Sequence, residues 1–173
     1  TGNAQSALDT TAAGDIWNNG FSNAGTSYTS MNGSDAANNK SVNYTFPTIM
    51  DDLALTASYS GQTTAVTSTT AFGATYTGVE GLSVSYGVGQ DGSTTSTASG
   101  DITTMKGSYA LGSFTVAASQ TESDLDSTGV DEEMTSWNVS YTVTDDLSIK
   151  YGEETHETSA QATDEEFDGV TIT

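Results

Sequence analysis

Apolar and polar residues alternate along most of this chain in short runs of period two. In Trp137–Gly152, WNVSYTVTDDLSIKYG, the residues Trp137, Val139, Tyr141 and Val143 alternate with Asn138, Ser140 and Thr142. After Asp145-Asp146, Leu147, Ile149 and Tyr151 alternate with Ser148 and Lys150. Two such runs about a tight turn predict a β-hairpin. The unit recurs. Val42, Tyr44 and Phe46 share one face of a strand that Pro47 ends, because proline has no N–H for a ladder. Asp51-Asp52 then turn the chain into a strand carrying Leu53, Leu55, Ala57 and Tyr59 on one face. Phe72, Ala74 and Tyr76 lead through GVEG to Leu82, Val84, Tyr86 and Val88. Met105, Tyr109 and Leu111 lead through Gly112 to Phe114, Val116 and Ala118.

Between hairpins lie longer polar stretches: GQTTAVTST, QDGSTTSTASGD, ESDLDSTGVDEE and EETHETSAQATDEEFD, the last running into a strand, GVTIT. Short turns and long loops therefore fall on opposite sides of one sheet, repeating roughly every thirty residues. The pattern predicts an all-β, antiparallel up-and-down meander of about nine strands rather than a Greek-key sandwich. Residues 1–40 differ, being rich in Asn, Gly, Ala and Ser. They read as a long loop in which SALDTTAAGDIW supplies a short helical piece, weakened by Gly14.

Alternation alone leaves open whether the apolar face points into a core or into lipid. The polar face carries Ser, Thr, Gly and Asn rather than the Lys/Glu mixture of a solvated surface, which suits a water-filled lumen. Tyr76, Tyr109 and Tyr141 stand just before short turns, and Tyr59, Tyr86 and Tyr151 lie further along the returning strands. Two tiers of aromatics match the girdles at the two interfaces of a bilayer. On this reading the chain forms part of a transmembrane β-barrel, with Tyr59, Tyr76, Tyr86, Tyr109, Trp137, Tyr141 and Tyr151 facing lipid. Lys106, Asn138, Ser140, Ser148 and Lys150 face the lumen. A second reading keeps the apolar face inside, making the chain an acidic, soluble, β-rich adhesive or calcium-binding module of a cell surface.

Charge narrows the partners. Three lysines, no arginine and 23 acidic residues give a formal charge of −20, which makes nucleic acid a poor partner. Cysteine is absent, so disulfides and thiolate metal sites are excluded. His156 has no second imidazole to complete a transition-metal site or a catalytic triad, and no enzymatic constellation stands out. DLDSTGVDEE, starting at Asp124, has carboxylates at its first and third places and a glycine at its sixth, but Thr135 stands at the twelfth, where a calcium loop needs Glu. A weak calcium site at Asp124, Asp126 and Asp131 competes there with a plain solvated acidic loop. No other cofactor is implied.

The segments SVNYTFPTIMDDLALTASYS, GVEGLSVSYGVG, YALGSFTVAASQTESD and SWNVSYTVTDDLSIKYG resemble, in order and spacing, the general porins of Gram-negative bacteria, in their alphaproteobacterial branch. That resemblance implies a 16-stranded barrel, commonly a homotrimer, held in outer-membrane lipid and lipopolysaccharide and passing small hydrophilic solutes and ions by diffusion. It also implies that residues 1–40 include a constriction-type loop, with Asp9 and Asp15 as its pore-facing carboxylates, ahead of a barrel segment over residues 41–173. The arginines that oppose such a loop in these porins have no counterpart here. An odd strand number without a terminal aromatic implies an internal piece of a longer porin, with a pore preferring cations or neutral solutes.

Overall fold

The computed structural model describes residues 41–62, 68–91, 100–125, 131–160 and 162–172. Residues 1–40, with Asp9 and Asp15, and Asp126 lie outside the described residues. The rest form one antiparallel sheet of nine strands in chain order. They are β1 (Ser41–Thr45), β2 (Leu53–Ser60), β3 (Thr69–Tyr76), β4 (Leu82–Asp91), β5 (Gly100–Leu111), β6 (Phe114–Leu125), β7 (Glu132–Thr144), β8 (Leu147–Thr158) and β9 (Glu165–Ile172). Each strand pairs with its sequence neighbour, as an up-and-down meander requires.

The short turns close tightly for identifiable reasons. At the β2 entry Asp52 takes a positive φ of 63°, and the Leu53 N–H donates to the Met50 carbonyl at 3.2 Å. Aspartate tolerates the left-handed region better than most residues. Gly81, with φ 78°, opens β4, where its carbonyl accepts the Ala110 N–H at 2.8 Å. A Cβ at Gly81 would collide with the Ala110 carbonyl oxygen, so glycine is needed there for space as well as for φ. Gly112, with φ 59°, turns β5 into β6 in open surroundings.

Register assigns every side chain to a face. Cross-strand pairs Leu82↔Tyr109, Tyr109↔Val116, Val116↔Val139 and Val139↔Tyr151 run along one face of β4–β8. Ser85↔Lys106, Lys106↔Ser119, Ser119↔Ser136 and Ser136↔Glu154 run along the other. A bulge between Thr142 and Thr144 interrupts the β7–β8 register beside the Asp145-Asp146 turn.

The acidic stretches expected as loops are largely strand. β6 runs on to Leu125, β7 starts at Glu132, β8 reaches Thr158 and β9 starts at Glu165. Strands β5–β8 hold 12 or 13 residues, more than the roughly 9–11 that span a bilayer. In a barrel wall their long-loop ends would extend past the bilayer into water, where a ladder can carry Asp and Glu at little cost.

Candidate functional site

The two faces of the sheet differ in both chemistry and burial. Ser60, Thr69, Ser85, Thr104, Thr121, Ser136 and Asn138 are all buried, and register puts them on one face. Among the described residues the buried hydrophobic side chains are Ala71, Ile102 and Met134 alone. All three share that same face. Three apolar side chains cannot form the core of a soluble sheet of this size. On the opposite face Phe72, Tyr86, Met105, Phe114, Val116 and Val139 are exposed, as are most other large apolar residues of the hairpins, while Leu53, Leu55 and Leu82 are half-buried. A continuous exposed apolar surface of this extent marks a partner or a membrane.

The exposed face has an ordered aromatic tier. Phe114 and Tyr141, direct cross-strand partners, have ring centroids 4.6 Å apart. Trp137 and Tyr151 meet edge to face at 5.8 Å. Such pairs stabilise by about 0.5–1.5 kcal/mol beyond the area they bury. On β7 the apolar stretch runs from Trp137 to Val143. At about 3.4 Å per residue and a tilt near 40° its steps rise roughly 16 Å, about two thirds of the ~25 Å apolar belt of an outer-membrane barrel. Beyond it, towards the long loops, the same face turns acidic with Glu122, Glu133 and Glu157, which register sets side by side.

The buried face is polar and wettable. Ser119 Oγ and Ser136 Oγ share a hydrogen bond of 2.7 Å, and Thr75 Oγ1 and Ser85 Oγ one of 2.9 Å. The hydroxyls of Thr69 and Thr121 are fully sheltered and have no protein partner among the described residues. An unpaired buried hydroxyl costs about 1–3 kcal/mol, so water is the partner this face calls for. His156 sits here with its Nε2 3.9 Å from a Glu132 carboxylate oxygen and with Glu165 as its cross-strand partner.

Each candidate residue from the sequence can now be placed. Lys106, Asn138, Ser140, Ser148 and Lys150 fall on the polar face. Tyr59, Tyr76, Tyr86, Tyr109, Trp137, Tyr141 and Tyr151 fall on the apolar one, all exposed. Asp124 and Asp131 border a cavity of about 430 Å³ at the long-loop end, with Glu132, Glu157 and Asp164. Among the described residues no group of three or more His, Asp or Glu is gathered to hold a metal ion. Sequence reading missed Thr69, Thr104 and Thr121 on the polar face. They follow from extending the period-two pattern of β3, β5 and β6 by one or two residues.

No helix among the described residues is long and apolar enough to cross a membrane, which has no bearing on a barrel that crosses with strands. Comparison with solved structures gives the porin of Rhodopseudomonas blastica, as a triple mutant, with a TM-score of 0.50 and 20% identity over 77% of this chain and 43% of that one. A loop L8 deletion mutant of OmpT, an outer membrane protein of Vibrio cholerae, matches with a TM-score of 0.62 and 20% identity over 99% of this chain and 62% of that one. This chain thus spans about half the length of the solved proteins it matches. No curated protein sequence matches it. The Gram-negative porin family model matches residues 1–173. With a nine-strand meander, an apolar face turned outward and a family match from end to end, the chain belongs to the Gram-negative porins.

Proposed function

We propose that this chain forms a section of the wall of a passive diffusion channel for small hydrophilic solutes and ions, with a preference for cations or uncharged solutes. Its place is the outer membrane, as for the family. The observation that carries the reading is the inversion of an ordinary core: large apolar side chains are exposed on one face, while hydroxyls and Asn138 are buried on the other. Such a sheet suits lipid outside and water inside. A soluble adhesive module needs the reverse.

The cation preference rests on charge. Against 23 acidic residues the chain has three lysines, and Lys106 and Lys150 alone bring fixed positive charge to the polar face among the described residues. The net field of such a wall draws cations and repels anions. Asp9 and Asp15 add carboxylates to a constriction loop in this proposal, and calcium serves only as a loose counter-ion near Asp124, Asp126 and Asp131. A homotrimer in contact with lipopolysaccharide follows from the family resemblance. The edges β1 and β9 each pair with a further strand in the closed wall, because an open edge in lipid leaves backbone groups unsatisfied. The test is swelling of liposomes that contain the full-length protein. Sugars should enter at rates that fall with their size, and vesicles that stay impermeable to the smallest sugar would overturn the proposal.

A further inference from the structure

Charge on the polar face is sorted along the strands. Glu132 and Glu165 are the first residues of β7 and β9, at the long-loop end, and Glu154 is the eighth of the twelve residues of β8 counted from its short turn. Lys150 is the fourth residue of β8, and Lys106 is the seventh of twelve in β5, which runs from a long loop to a short turn. Among the described residues the carboxylates of this face therefore occupy its long-loop half and the two lysines its short-turn half. The exposed carboxylates of the short turns, Asp51, Asp52, Glu80, Asp145 and Asp146, charge the rim and not a strand face.

The separation is large enough to make two zones. Glu132 is the cross-strand partner of Thr158, which stands eight residues from Lys150 along β8. At about 3.4 Å per residue that is roughly 27 Å, or about 21 Å along the axis of a barrel whose strands tilt near 40°. Screening at about 0.1 M salt confines each charge to about 10 Å, so neither zone cancels the other. The long-loop zone is reinforced by Glu165, the cross-strand partner of His156, whose Nε2 lies 3.9 Å from a Glu132 carboxylate oxygen.

We infer that this wall makes the channel rectify, passing cations more readily from the long-loop end to the short-turn end than in reverse. The inference rests on the diffusion-channel reading. Ions in a pore are enriched beside walls of opposite charge. Cations driven from the long loops leave a stretch that favours them for one that favours anions, and anions driven the other way do the converse. Both reach the junction faster than they leave it, so salt accumulates there and conductance rises. Reversing the voltage empties the junction, and conductance falls. A potential step of about one kT between the halves corresponds to a roughly two- to threefold difference in local ion concentration. The effect acts through the field and needs no contact between an ion and the buried Glu154.

The test records single pores of the full-length protein in symmetric salt of about 0.1 M at equal and opposite voltages, where each charge still reaches about 10 Å. Ala160→Cys, in the turn between β8 and β9, serves as the only cysteine, with any other replaced. Biotin on that cysteine and streptavidin in one chamber show which end each pore presents. The readout is the ratio of the current with the long-loop side positive to the current with it negative. Lys106→Gln with Lys150→Gln removes positive charge from one half, and Glu132→Gln with Glu165→Gln removes negative charge from the other. The two pairs should move the reversal potential in opposite directions, yet both should lower the current ratio, each by roughly 1.6-fold, half of a one-kT step. In about 1 M salt, where screening shortens to about 3 Å, these differences should vanish. Lys150→Gln and Glu165→Gln alone make the same comparison where a pair fails to insert. Shifts of the ratio in opposite directions, or a pair that leaves it unchanged, would overturn the inference while leaving the channel standing. Absence of current in the parent protein as well as in every variant would instead overturn the channel reading.

Discussion

Thr115 and Val116 are consecutive residues of β6, so they sit at one depth and point to opposite faces. Val116 is 49% exposed and lies between Tyr109 and Val139, near the middle of the apolar belt. Thr115 lies on the polar face between Ala110 and Ser140. In a soluble protein a half-exposed valine accepts lysine within about 0.5 kcal/mol. In a barrel wall the ammonium enters hydrocarbon, and Val116→Lys costs about 2–4 kcal/mol near the bilayer midplane. Thr115→Lys reaches lumen water and costs about 0.5 kcal/mol or less. Each variant of the full-length protein can be unfolded with guanidinium from lipid vesicles and followed by tryptophan fluorescence. A gap of at least ~1.5 kcal/mol between the two is expected, given these ranges. Equal effects, or a larger loss for Thr115→Lys, would refute the assignment of faces.

Three further outcomes follow from the same geometry. Gly81→Ala should lower stability well beyond the ~1–2 kcal/mol of a left-handed residue, because its Cβ meets the Ala110 carbonyl. Gly112→Ala, in open space at a similar φ, should cost that strain alone, and thermal unfolding of the two variants in detergent compares them directly. Ser119→Ala should cost about 1–3 kcal/mol by breaking the buried hydroxyl pair. In a double-mutant cycle Ser136→Ala should add less than its own separate cost, and strict additivity would show that the 2.7 Å contact carries no energy. Lys106→Glu combined with Lys150→Glu should shift the reversal potential in a salt gradient further towards cations. An unchanged potential would place both lysines away from the ion path.

The sheet was legible in the sequence because a period of two admits one pairing per face, and the turn residues at Asp51-Asp52, Gly112 and Asp145-Asp146 fixed where the strands reverse. The faces were legible because Ser and Thr occupy the positions where a soluble surface carries Lys and Glu. The strand ends were not. Asp and Glu are poor strand formers, so ESDLDSTGVDEE and EETHETSAQATDEEFD read as loops although β6–β9 run into both. What extends them is the ladder already formed below, which adds hydrogen bonds at each step whatever the side chain. Ile102 and Met134 were also missed, since two apolar residues on a polar face break the very alternation that identifies it.

The outward-facing acidic row and the inward-facing lysines also separate two roles of charge that sequence counting merges. Glu122, Glu133 and Glu157 stand above the apolar belt, where they bear on the headgroup region. Glu154, buried on the polar face beside Ser136, bears on the lumen. Screening confines each effect to about 10 Å at moderate salt. Changes to the outer row should therefore leave ion selectivity nearly intact.

The central claim is that the polar face lines an aqueous path through the outer membrane. Planar-bilayer recording of the full-length protein under a salt gradient tests it most directly. The account predicts stepwise insertion of open pores and a reversal potential of the sign that cation preference gives. Absence of conductance on insertion, or a clear anion preference, would contradict it.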